Sequence, residues 1–235
     1  MEEREVEIRI EETALAGTLS VPNAPRGVVL FAHGSGSSRF STRNRFVAGV
    51  LQRSGLATLL MDLLTADEEA IDARTRHLRF DIGLLTARLI GATDWLNGIA
   101  SGDPTHALHK RAVGYFGSST GAAAALMAAA ARPAIAAVVS RGGRPDLARQ
   151  ELARVQAPTL LIVGGDDVPV IAMNEEALAQ LRCEKRLEIV PGATHLFEEP
   201  GTLEQVARLA ADWFVRHLAD SAKTAASETG RDVAA

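Results

Sequence analysis

The chain has 235 residues, of which 47% are apolar and 23% charged, with a formal net charge of −4 and a pI near 5.9. That length suits one α/β domain of generous size, and the mild acidity excludes the basic surface that nucleic-acid or anionic-membrane binding requires. A single cysteine, Cys183, excludes an internal disulfide and points to a reducing compartment.

The opening stretch, MEEREVEIRI, is acidic and alternating, unlike a basic-then-apolar leader. No apolar run approaches the roughly 20 residues of a membrane span. The expectation is a cytoplasmic protein with neither nucleic-acid nor membrane partners. Val6, Ile8 and Ile10 alternate with charge, the period of a half-buried strand, and Ala14–Val21 continues as the second arm of a hairpin. Pro22 and Pro25 stop the pairing.

Beyond them the texture changes. Short apolar runs at 27–32, 56–61, 112–116, 134–139, 159–164 and 187–190 are buried on both faces in the manner of parallel strands. Helices are expected near 43–54, 78–98, 119–131, 171–182 and 202–218. Together these predict an α/β fold: one doubly wound, mostly parallel sheet of eight strands with an antiparallel hairpin at its N-terminal edge. The charged connection Thr65–His77 reads as a solvated loop. The stretch 220–235, rich in Ala, Ser, Thr and charge, reads as a disordered tail after a single domain spanning 1–219.

The most informative motif is Gly117-Ser118-Ser119-Thr120-Gly121. It follows the apolar run AVGYF and opens an Ala-rich helix, the strand–turn–helix placement of a nucleophile elbow centred on Ser119. Two glycines remove side chains from a turn too sharp to hold them. A serine hydroxyl needs a general base, and the base needs a group to fix its tautomer. Among the six histidines, His195 follows the last strand through Pro191-Gly192-Ala193-Thr194, at the carboxyl edge of the sheet. His217 falls in an amphipathic helix and reads as a surface residue. The run TLLIVG ends in Gly165-Asp166-Asp167, and spacing alone leaves both carboxylates open.

The N–H of Thr120 is the expected first oxyanion donor. Ser35, in His33-Gly34-Ser35-Gly36, is the expected second. Gly34 and Gly36 after a strand, with Asp62 further on, also sketch a dinucleotide fingerprint, but Arg39 stands where its third glycine belongs. Arg39, Arg141 and Arg144 follow strands at the carboxyl edge and are candidates for pairing with a substrate carboxylate. His106 and His109 have no third partner at a familiar metal spacing. Cys183 reads as a packing residue in a helix, and Glu198 and Glu199 as the solvated start of the last helix.

These motifs resemble the dienelactone hydrolase family within the α/β-hydrolase superfamily. The resemblance rests on His33-Gly34-Ser35-Gly36, Gly117–Gly121, Gly164-Gly165-Asp166-Asp167 with Val170, and Pro191–His195. It implies an α/β-hydrolase fold and a serine hydrolase needing no cofactor or metal. The family's arrangement of glycine, two residues and acid selects Asp167 as third member with Ser119 and His195. Dienelactone-cleaving enzymes proper carry cysteine where Ser119 stands, so the resemblance implies a carboxylesterase acting on small esters. About 17 residues separate the sixth and seventh strands, too few for a large cap domain.

Overall fold

The computed structural model describes residues 1–98, 108 and 111–229, from 220 onward as backbone alone. His106 and His109 therefore lie outside the described residues. β1 (Glu2–Ile10) and β2 (Thr13–Val21) form the expected hairpin, with Glu2 opposite Val21 and Ile10 opposite Thr13. Six further strands follow: β3 (Val28–Ala32), β4 (Ala57–Met61), β5 (Val113–Ser118), β6 (Ala137–Arg141), β7 (Thr159–Gly164) and β8 (Lys185–Val190). The sheet order is β1-β2-β4-β3-β5-β6-β7-β8. β2 pairs antiparallel with β4, and every pairing from β4 to β8 is parallel.

This order has one functional consequence. From β3 the chain steps to one side for β4, then returns to the other side for β5. At such a reversal the loops leaving two neighbouring strands diverge and open a crevice at the carboxyl edge. The two strands at this crevice are those carrying His33–Gly36 and Gly117–Gly121.

The sheet is covered on both faces, which is why its central strands read as unbroken apolar runs. Val29 and Phe31 of β3 join Phe116, Val139 and Ile162 against α1 (Thr42–Arg53) and α6 (Thr202–Thr229). Val28, Leu30 and Ala32 face the other way, toward α3 (Ile82–Asn97), α4 (Thr120–Ala131) and α5 (Val168–Gln180). Each fully buried Leu or Phe contributes roughly 1.5–3 kcal/mol relative to exposure. Eight of the twelve residues of α4 are alanine and ten are buried, which keeps it helical and lets it lie close on the sheet. Between β6 and β7 the chain makes only a 3-10 segment, Pro145–Arg154.

Four local expectations are corrected. The charged stretch 65–77 is α2 (Ala66–Thr75), opened by a reciprocal cap in which Thr65 Oγ1 accepts from Glu68 N–H and the Glu68 carboxylate accepts from Thr65 N–H. Asp72 on α2 is buried and accepts from the N–H groups of Leu78 and Arg79 and from the Arg79 guanidinium. Those bonds tie the helix down; it is not a solvated loop. Cys183 sits in the bend between α5 and β8, packed on the core. α6 continues past 218 to Thr229, because the Ala-rich chain beyond is a good helix former. His217 is buried, four residues from Trp213 on α6, with the two rings 4.5 Å apart. No helix among the described residues is long and apolar enough to cross a membrane.

Candidate active site

Ser119 stands between the last residue of β5 and the first of α4 with φ 49° and ψ −121°. A left-handed φ costs a side-chain-bearing residue about 1–3 kcal/mol and persists only where its surroundings over-determine it. Here they do. Ser119 N–H donates to Arg141 O at 3.3 Å, and Ser119 O accepts from Ala122 N–H and Arg144 N–H, each at 3.1 Å. The flanking glycines are steric necessities: a Cβ on Gly117 would lie 2.4 Å from Ala122 Cα, and one on Gly121 2.2 Å from Ala32 O. Thr120 is the first residue of α4, so its N–H has no intrahelical acceptor.

A cavity of about 350 Å³ opens at this edge, lined by Ser35, Arg43, Asn44, Ser119, Arg141 and His195 among others. Gly34 lies against Ser119; a Cβ there would sit 3.1 Å from Ser119 Cβ. His33 anchors this loop. Its Nε2 accepts from Leu63 N–H at 3.1 Å, which leaves Nδ1–H to donate to Gly34 O at 2.9 Å. Burial holds its pKa below the ordinary 6.5 despite the Gly34 bond, so the fold binds the neutral ring. Stability should therefore be complete above about pH 6.5 and decline as pH falls below it, where the unfolded chain takes up a proton that the fold resists. Thermal unfolding followed between pH 7.5 and 5 should show that decline, and His33→Gln should make it shallower.

The candidate base and acid come from two neighbouring loops. His195 Nδ1 lies 2.7 Å from Asp167 Oδ2. With Nδ1–H donating there, Nε2 keeps its lone pair. Asp166 is exposed and offers its backbone N–H to Ala193 O. Close packing joins the loops, since a Cβ on Gly164 would lie 2.3 Å from Ala193 O. Ser119 and His195 line the same cavity without a hydrogen bond between them in this structure; such bonds are often long in unliganded enzymes and tighten with substrate.

Glu198 and Glu199, expected as a solvated helix start, precede α6 and are both engaged. Glu199 accepts from Thr194 N–H at 3.0 Å and from Thr194 Oγ1 at 2.7 Å, bracing the residue next to His195. Thr194 also draws the Glu199 carboxyl below its ordinary pKa. Glu199→Ala should lower kcat about 10- to 100-fold with a smaller change in KM, as a displaced imidazole would. Glu199→Gln, whose amide can still accept one bond, should recover part of the loss.

The three candidate arginines part company. Arg39 is held by Asp62, its own N–H donating to Asp62 Oδ1 at 2.7 Å, and it reaches Glu5 at 3.3 Å. Asp62, the acidic residue of the partial dinucleotide fingerprint, is thereby occupied. Arg144 makes a two-pronged pair with Asp146 at 2.9 and 2.8 Å. Of the three, Arg141 alone enters the cavity with Ser119. Sequence reasoning missed Arg43 and Asn44, which reach the cavity from the first turn of α1. Asn44 is buried and accepts from Ser118 Oγ at 3.0 Å. Their position just after the glycine loop was the available signal.

Comparison with known proteins agrees with this fold. A chain 63% identical, the dienelactone hydrolase of Anabaena variabilis, superposes with a TM-score of 0.88 over 92% of this chain and 98% of its own. Est1E of Butyrivibrio proteoclasticus, at 16% identity, shares the fold with a TM-score of 0.74 over 92% of this chain and 99% of its own. A Mycobacterium tuberculosis protein provisionally named a phosphoribosyl transferase is 57% identical over 219 residues, covering 93% of this chain. The chain spans about half, 47%, of that relative's length. The family model for dienelactone hydrolases matches residues 15–226, taking in the strained serine, both glycine loops and the histidine turn. On this match the chain belongs to the dienelactone hydrolase family and has the α/β-hydrolase fold.

Proposed function

We propose that the protein is a serine carboxylesterase cleaving small esters through an acyl-enzyme on Ser119. The observation that carries this reading is the strained Ser119 backbone, which holds its side chain in a cavity that also receives the imidazole paired with Asp167. In the proposed reaction His195 Nε2 takes the hydroxyl proton as Ser119 Oγ attacks the ester carbonyl carbon. The N–H groups of Thr120 and Ser35 receive the developing oxyanion. His195 then gives that proton to the departing alcohol, and a water molecule, deprotonated by the same ring, releases the acid and restores Ser119. Asp167 keeps Nδ1 protonated throughout, so that Nε2 faces the reaction.

A small soluble ester suits an edge over which the described residues place no large cap. We infer further that the name of the Mycobacterium tuberculosis relative describes the half of that protein which this chain does not match. Stopped-flow hydrolysis of 4-nitrophenyl acetate tests the acyl-enzyme: close to one equivalent of 4-nitrophenol per chain should appear before the steady state whenever deacylation is slower. Hydroxylamine should accelerate that steady state by intercepting the acyl group. A steady state indifferent to hydroxylamine, without any burst, would contradict the covalent route.

A further inference from the structure

The buried residues of α1 are Asn44, Val47, Ala48 and Leu51, the i, i+3, i+4, i+7 spacing of a face laid on a sheet. Val47, Ala48 and Leu51 join Phe116 of β5 in the apolar layer between helix and sheet. Asn44 opens the same stripe with an amide and is only 2% exposed. Its partner is equally out of pattern. Ser118, the last residue of β5, shares its face with Phe116 by strand alternation and is also 2% exposed. Leucine facing alanine would fill this place without a polar group to desolvate, and leucine is the better helix former. A buried polar pair held against the local pattern marks a place where function overrides packing.

The position of the pair indicates which function. Ser118 Oγ donates to Asn44 Oδ1 at 3.0 Å, and the next residue is Ser119, whose φ of 49° persists only under constraint. From α4 and the end of β6 that constraint is backbone, through Arg141 O, Ala122 N–H and Arg144 N–H. Among the described residues, the Asn44–Ser118 bond is the one side-chain hydrogen bond that ties the turn to α1. Asn44 is itself fixed, its N–H donating to the capping Ser41 Oγ at 3.3 Å. The preceding residue, Arg43, reaches Glu198, just beyond His195, at 3.0 Å. One helical turn thus touches both the segment bearing Ser119 and the segment bearing His195. The Arg43–Glu198 pair has side chains 32% and 63% exposed and holds weakly. The buried Asn44 bond is the stiffer arm.

We propose that Asn44 is a positioning residue of the acyl transfer: acting through Ser118, it anchors the Ser119 turn to α1 and so fixes where the hydroxyl meets His195. The inference rests on the esterase reading above and adds a residue to its machinery. The two side chains share a cavity without a hydrogen bond between them, so the imidazole has to find a stationary hydroxyl when substrate arrives. Misplacement by about 1 Å can cost 100-fold in rate.

A double-mutant cycle provides the test, with kcat and KM on 4-nitrophenyl acetate, the rate of fluorophosphonate labelling and Tm as readouts. Asn44→Leu and Ser118→Ala should each lower kcat and the labelling rate by about 10- to 100-fold with little change in KM. Each also leaves one buried polar group without its partner, so Tm should fall. The double variant sets leucine against alanine: its Tm should return to the wild-type value or above, while kcat and labelling stay no lower than in the weaker single variant. Ser118→Thr, which keeps the hydroxyl, should retain most of the activity. A merely structural pair predicts the opposite, with kcat and labelling recovering along with Tm, and that result overturns the proposal. So do single variants within about twofold of wild-type kcat, losses that multiply in the double variant, or an effect confined to KM. If a single variant does not fold, the double variant carries the comparison, and its activity must still be low. A wild-type protein that neither turns over ester nor takes the label sinks the esterase reading and this role with it; an active enzyme indifferent to all the variants sinks the role alone.

Discussion

Ser119→Ala is expected to lower kcat toward 4-nitrophenyl esters by about 10⁴- to 10⁶-fold, the loss that follows removal of a serine nucleophile from machinery acting as a unit. KM should change far less, since the cavity walls formed by Gly34, Asn44 and Arg141 remain. The substitution removes one oxygen and leaves the Cβ that faces Gly34 in place, so near-native thermal stability should accompany the loss. Residual turnover would come from the N–H groups of Thr120 and Ser35, which would still polarise a carbonyl. A variant retaining more than about a tenth of wild-type kcat would place the nucleophile elsewhere.

The second large effect separates two adjacent carboxylates. Asp167→Asn should cost about 10⁴-fold in kcat, because an amide donor facing Nδ1 turns the imidazole to the wrong tautomer. Asp167 is well placed for this: its side chain is 13% exposed and 2.7 Å from His195 Nδ1. Asp166→Asn should change kcat by less than about twofold, as an exposed residue engaged only through its backbone allows. Equal losses at the two positions would mean that the loop, and not one carboxylate, supports the ring. Steady-state kinetics on both variants at pH 8, with unfolding curves to exclude loss of structure, decide the matter.

The sheet was legible because its strands bury both faces, and burial on both faces leaves an unbroken apolar run that polar loops delimit. The run at 159–164 coincides with β7, and the glycine-flanked serine marks the turn after β5 by steric need alone. Other features depended on partners that the one-dimensional order hides. α2 carries so much charge that it resembles a loop, and only its Thr65–Glu68 cap and the buried Asp72–Arg79 contact show what fixes it. His217 has the polarity of a surface residue, yet its helical phase sets it against the Trp213 ring. Arg39, Arg141 and Arg144 are equivalent by position at strand ends. Their difference arises from Asp62, Glu5 and Asp146, which engage two of them. Arg43 and Glu198, far apart in the chain, meet at the cavity mouth only after α1 and the segment before α6 pack together.

A fluorophosphonate probe followed by intact-protein mass measurement asks whether the hydroxyl at the strained turn after β5 is the nucleophile. A single adduct is expected, mapped by peptide sequencing to Ser119, lost in Ser119→Ala and formed much more slowly in His195→Ala. An unmodified wild-type protein, or an adduct that Ser119→Ala retains, would contradict that assignment.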